Sequence, residues 1–269
     1  MAFKRLHQER WRNIQAGERD YHERKDPSAI LKINLRYWRR ILDALAGEVR
    51  IEQGARALDI GCGGCGILLA LPEGGHVGID PLMDFYLDKF PFLKERKDIT
   101  WRAGTGEDLE PGDQFDLVFL INTLDHTFDP GRALDKAAEC VAPGGRLVIL
   151  LNCHNTRIFR WYFSTFYRFI DPHHPFQFSP GEIENGLSGF SLSILQEIDH
   201  LWFPDDEDYR KMVLKKKKRD PLRFMKKALN PFMYPIAVSR YLFRRPTRRR
   251  KPGDRSIISI YLFVFRKDV

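Results

Sequence analysis

The segment Asp59-Ile60-Gly61-Cys62-Gly63-Gly64-Cys65-Gly66 places four glycines behind one acid within eight residues. One apolar run precedes it and another follows, the context in which a glycine loop lets backbone N–H groups approach a charged ligand. Taken alone, the Gly61-x-Gly63-x-x-Gly66 spacing also suits a dinucleotide, with Asp80 at roughly the 20-residue distance where an acid grips ribose hydroxyls. Asp59 shifts the balance. It stands two residues before the first glycine, where a dinucleotide strand continues apolar, and a carboxylate there can hold the ammonium of an amino-acid moiety directly or through water. Nicotinamide dinucleotides carry no such group.

Other chemistry-bearing residues have plainer readings beside the functional ones. Cys62 and Cys65 form a C-x-x-C, but a second matching pair is missing, so small residues filling a glycine loop is a better reading than zinc or redox chemistry. His126 can, as a neutral imidazole, take the proton that an O- or N-nucleophile sheds; the alternative is a histidine that merely fixes a loop. His173 and His174, taken with His126 and His154, match no standard ligand frame, and no metal is expected.

The elements that would position these residues alternate. Tyr37, Trp38, Ile41, Leu42 and Leu45 have helical spacing, and Gly47 stands where that helix would stop. Short apolar runs follow at 56–60, 76–79, 99–102, 115–120 and 146–151, separated by helical stretches, including Ile67 to Leu71 directly after the glycine loop. Such runs read as parallel strands buried on both faces, which makes the fold class α/β: a doubly wound, Rossmann-like, mostly parallel sheet. Ser179-Pro180-Gly181-Glu182 reads as a capped helix start, with that helix ending near Gly189. Two last apolar runs, 192–198 and 256–265, suit a C-terminal antiparallel hairpin with a basic insertion between its strands.

Six motifs follow in register: Asp59 to Gly66, Val77-Gly78-Ile79-Asp80, Gly104-Thr105-Gly106-Glu107-Asp108-Leu109, Phe115-Asp116-Leu117-Val118, Leu124-Asp125-His126-Thr127-Phe128-Asp129-Pro130 and Ala142-Pro143-Gly144-Gly145-Arg146-Leu147. In type and spacing they resemble the class I S-adenosylmethionine-dependent methyltransferases, in particular the branch acting on quinones, lipids and small molecules. The resemblance covers roughly residues 36–190. It implies that Asp59, Gly61 and Gly63 receive the methionine end of S-adenosylmethionine, with Cys62 contributing its backbone, and that Asp80 takes both ribose hydroxyls. The family's third motif usually has an Asp that binds the adenine amino group. Thr105 stands there instead, so Gly106, Glu107 or Asp108 would share that role. Leu120, Ile121 and Asn122 would line the methyl-transfer channel. His126 matches a position facing the acceptor pocket and is the candidate catalytic base; His173 and His174 match an acceptor-pocket loop. Trp11, Tyr21 and His22 would fold over the cofactor, an ordinary covering segment being the alternative.

The domain plan that follows has a covering or lid segment over 1–35 and a methyltransferase domain over 36–269. Within the domain, an aromatic-rich acceptor-side lid is expected over 152–180 and the basic insertion over 200–255. Residues 209–255 hold 18 Lys or Arg against two acids, while the whole chain is only +8, so the remainder is net negative. Leu222, Phe224, Met225, Ala228 and Leu229 are spaced among those charges as in an interfacial helix, which suits a small-molecule or lipid acceptor held at an anionic membrane surface. An RNA methyltransferase using the same basic arm is the alternative, although Asn122-Thr123-Leu124-Asp125 lacks the Pro-Pro-aromatic sequence of amino-directed nucleic-acid enzymes. A non-catalytic cofactor-binding protein is the third reading. Four cysteines, no secretory signal and no run of about 18 apolar residues favour a cytoplasmic protein, peripheral on the membrane's inner face.

Overall fold

The computed structural model describes residues 5–49, 51–110, 112–170, 173–198 and 258–268. The basic insertion expected over 200–255, with its interfacial-helix pattern, lies outside them. In chain order the elements are α1 Gln8–Glu23, α2 Pro27–Leu45, β1 Ala57–Ile60, β2 His76–Asp80, α3 Met83–Lys89, β3 Ile99–Ala103, β4 Phe115–Ile121, α4 Pro130–Glu139, β5 Val141–His154, α5 Arg157–Ile170, α6 Pro180–Glu184, β6 Phe190–Glu197 and β7 Ile258–Lys267. Seven strands form one sheet in the order β3-β2-β1-β4-β5-β7-β6. The first five are parallel; β7 runs antiparallel to both β5 and β6. This is the doubly wound sheet with a terminal antiparallel pair that the sequence predicts.

Every residue of β1 and β2 is buried, which the uninterrupted apolar runs require of strands covered on both faces. One face packs Leu58, Ile60 and Val118 against Ala133, Leu134 and Ala137 of α4 and Ile183 of α6. The other packs Phe119, Val148 and Val264 against Ile33, Tyr37, Ile41 and Leu45 of α2. Ile41 and Leu45 are fully buried, each contributing about 1.5–3 kcal/mol of transfer free energy. Asp26 caps α2 by accepting the Ala29 N–H at 2.8 Å, and Pro27 fills its first position. Because Ile33, Tyr37, Ile41 and Leu45 recur every four residues, α2 runs unbroken through the division expected between residues 35 and 36.

Two elements are shorter than the sequence suggests. No α-helix follows the glycine loop: Gly63–Cys65 and Ile67–Ala70 are 3-10 turns, because Pro72 arrives six residues after Gly66 and Gly74-Gly75 follow it. α6 has only five residues, ending before Gly186, although its start is as read, with the Ser179 N–H donating to Glu182 Oε2 at 3.0 Å.

Candidate active site

Sheet order reverses between β1 and β4, and ligands of open α/β sheets bind outside the carboxyl ends of the strands at such a point. A cleft lies there, walled by Ile60, Gly61 and Gly63 after β1, Asp80 and Pro81 after β2, Gly104 to Glu107 after β3, and Asn122, Thr123, His126 and Thr127 after β4. Helix α1 closes its open side with Trp11, Gln15, Glu18 and His22.

Gly61 and Gly63 sit at φ +70° and +60°, and a Cβ on Gly61 would collide with the Thr123 side chain. The loop's first three amides do not face a ligand. The N–H groups of Gly61 and Cys62 both donate to the Ile79 carbonyl, at 2.7 and 3.2 Å, and that of Gly63 donates to Asp80 Oδ2 at 3.0 Å. The expected backbone contribution of Cys62 is therefore spent inside the loop, and its thiol is buried. With the N–H groups turned inward, the loop is better suited to a cationic ligand than to a phosphate.

The electrostatics agree with that reading. Asp80 accepts the Leu82 N–H at 2.8 Å on its other oxygen; burial, outweighing those backbone hydrogen bonds and helped by Glu18, raises its pKa to about 6. Asp59 stands behind the loop and not on the cleft wall. It accepts the Ile67 N–H at 3.2 Å and is pushed up to about 7, chiefly by burial and further by Asp80. Asp59 thus braces the loop that the resemblance has it reach through. Trp38 of α2 holds the same loop from outside by donating to the Cys65 carbonyl at 2.9 Å.

Of the other residues expected at the cofactor, Thr105, Glu107 and Asn122 line the cleft and Leu120 does not. Leu120 is fully buried in the core. Glu107 reaches the cleft wall, but its Oε1 accepts the N–H groups of Phe128 and Asp129 at 2.7 and 3.0 Å and so fixes the 124–129 turn. Thr105 lines the cleft and donates to Asp108 Oδ2 at 2.8 Å. Asn122, at φ +51°, lines the cleft with its side-chain oxygen unpartnered among the described residues.

On the acceptor side, His126 is on the wall, in the 3-10 turn Leu124–His126. His174 packs on it with ring centroids 4.5 Å apart. His173 points elsewhere, its ring against Gly17 of α1. Tyr21 is 42% exposed beneath Lys25 and not on the cleft; its neighbour His22 faces inward instead, its pKa lowered to about 4 by burial and then by Lys25. Among the described residues no side chain of α5 lines the cleft: Phe163 packs on His154, and Ile158 and Trp161 are 76% and 64% exposed. Among the described residues the lid expected over 152–180 thus puts no side chain on the cleft wall, and His174 meets that wall only by packing on His126. Gln15 and Glu18 were not anticipated, yet Trp11, Gln15, Glu18 and His22 fall at i, i+4, i+7 and i+11, one face of a helix.

The cleft fits S-adenosylmethionine in its chemistry: Glu18 and Asp80 line it as acids toward a cation, Asp80 closing β2, and Asn122 brings an unpartnered amide oxygen. A family model described as a methyltransferase domain matches residues 30–197. The ubiquinone biosynthesis O-methyltransferase of Azorhizobium caulinodans is 35% identical over 109 residues, covering 39% of this chain and 43% of that protein. That of Rhodopseudomonas palustris is 27% identical over 162 residues, covering 54% and 60%. The chain thus spans about half the length of the curated relatives it matches. Among solved structures, coclaurine N-methyltransferase bound to N-methylheliamine and S-adenosylhomocysteine aligns with a TM-score of 0.59 at 14% identity, covering 86% of this chain and 70% of that one. Phosphoethanolamine N-methyltransferase 2 of Haemonchus contortus gives 0.58 at 16%, covering 86% and 52%. These last two show the fold. With the family model matching well over half of its length, the chain belongs to the class I S-adenosylmethionine-dependent methyltransferases.

Proposed function

We propose that this protein transfers a methyl group from S-adenosylmethionine to a hydroxyl of a small aromatic or lipid-like acceptor. The observation that carries the reading is that Asp80 and His126 line one cleft, so a ligand held by its ribose at Asp80 has a proton acceptor within the same cavity. The relatives named as O-methyltransferases support oxygen as the nucleophile. When bound, with its ribose at Asp80, the cofactor would supply an electrophilic methyl to the acceptor oxygen, with its sulfur taking the C–S electron pair as leaving group. The chain's own work is positioning, water exclusion by α1 and removal of the hydroxyl proton by His126. Incubation with S-adenosylmethionine and a panel of alkyl-substituted phenols and amines should release S-adenosylhomocysteine with the phenols only. NAD binding without S-adenosylmethionine binding would overturn the reading.

Residues 209–255 supply the second part of the proposal, docking on anionic lipid to present a membrane-held acceptor. Their charge excess supports it, as do Ile158 and Trp161, exposed on α5 beside Arg157 and Arg160. Among the described residues no helix is long and apolar enough to cross a membrane. In flotation with anionic liposomes the full chain should rise. Removing 209–255 should abolish this, and high salt should weaken but not erase it, since inserted apolar side chains are not screened. Indifference to liposomes with salt-steep binding of structured RNA would replace lipid by nucleic acid.

A further inference from the structure

Asp125, His126 and His174 converge where His126 lines the cleft, from two segments 48 residues apart. Each offers one ligand atom, and the three atoms lie within 4.8 Å of one another. Asp125 is buried, and its Oδ1 has no hydrogen-bond partner among the described residues; nor has the buried Nδ1 of His126. The other Asp125 oxygen lies 3.9 Å from His174 Nε2, too far for a hydrogen bond. Buried polar atoms left in this state call for an explanation, and a bound cation is one. We propose that these three residues form a binding site for a divalent metal ion of the zinc class.

Two imidazoles and one carboxylate select a borderline ion such as Zn²⁺, Co²⁺ or Fe²⁺ over Mg²⁺ or Ca²⁺, which take all-oxygen sets. A tetrahedral site with metal–ligand distances near 2.1 Å has edges of about 3.4 Å, so the triad must contract by about an ångström. His174, with 36% of its side chain exposed, has room to turn. The backbone on either side is held. The His126 N–H donates to the Thr123 carbonyl at 2.9 Å and the Thr127 hydroxyl to that of Leu124 at 2.9 Å, while Gln177 Nε2 donates to the His174 carbonyl at 2.6 Å. Three protein ligands leave a fourth position, and since His126 is on the cleft wall that position faces the acceptor.

The ion's binding is independent of the methyl-transfer reading; its use rests on it. An acceptor hydroxyl in the fourth position would bind as its anion, its proton passing to solvent, because a divalent ion lowers the pKa of a coordinated O–H. His126 is then a ligand, and the base only in the ion-free site.

The test uses the full chain stripped with a chelator. One equivalent of Co²⁺ should give visible d–d absorption of a low-coordinate site, and Zn²⁺ should displace it. Loss of an outer-shell partner alone costs about 10–100-fold in metal affinity, so His126→Ala and His174→Ala should each weaken binding at least as much. Asp125→Asn keeps the buried side chain's shape and should do the same, whereas His173→Ala, in the exposed neighbour, should bind as the parent does. No Co²⁺ band, or a band that survives His174→Ala, overturns the site. S-adenosylmethionine calorimetry on the same samples separates the two proposals. Cofactor binding without metal binding defeats only this one, and metal binding without cofactor binding defeats only the reading above.

Discussion

Replacing Asp80 with alanine should weaken S-adenosylmethionine binding by at least about a hundredfold in calorimetry. Two charge-assisted hydrogen bonds to ribose hydroxyls are each worth about 1.5–3 kcal/mol, and about 1.4 kcal/mol is tenfold in affinity. The same carboxylate gathers the N–H groups of Gly63 and Leu82, so the variant also loosens the loop's hold on β2. The parent should show a pH signature that the variant lacks. Burial holds Asp80 at about 6 in the free protein, and the ligand requires the carboxylate. Affinity should therefore rise with pH through about 6 and level off above it. A flat affinity between pH 5 and 8 in the parent would remove Asp80 from the ribose.

The second large effect is on turnover. His126→Ala should lower kcat by about 10²–10⁴-fold, the range for losing a positioned proton acceptor, while cofactor affinity stays within a factor of about two. The separation follows from placement: His126 stands beyond the β4 end, against His174, and Asp80 at the β2 end. An unchanged kcat with a raised KM would make His126 a binding residue and leave proximity as the source of rate.

The strands were legible because a buried parallel strand has little choice of composition. β1, β2 and β4 differ from the apolar runs that announce them by one residue at an end. Asp80 was legible for a related reason, being the polar residue that closes the β2 run. What the sequence concealed is where donors point. The same glycine pattern serves a loop whose amides cradle a ligand and one whose amides turn back to Ile79 and Asp80, and only tertiary context separates them. The inward turn of Asp59 was hidden for the same reason, since a carboxylate at that position can face the ligand or the loop. The approach of His174 to His126 is a contact between distant segments, which spacing cannot announce. Gln15 and Glu18 are the reverse case: their helical phase with Trp11 and His22 was present in the chain and passed unread.

The position of β7 bears on how the sheet is assembled. It is last in sequence but lies inside the sheet, paired on one side with β5 and on the other with β6. During synthesis the edge of β5, with the apolar Leu147 to Leu151, stays open until some sixty further residues beyond β6 have left the ribosome. Such an unpaired edge invites pairing with another chain, so yield should be governed by how fast β7 docks. The same geometry makes the intervening stretch separable. Glu197 pairs with Tyr261, so the strands on either side of the insertion are already neighbours, and loop length between such ends costs little. A chain shortened there should keep its sheet, and insertions of very different size and charge should be compatible with this one core.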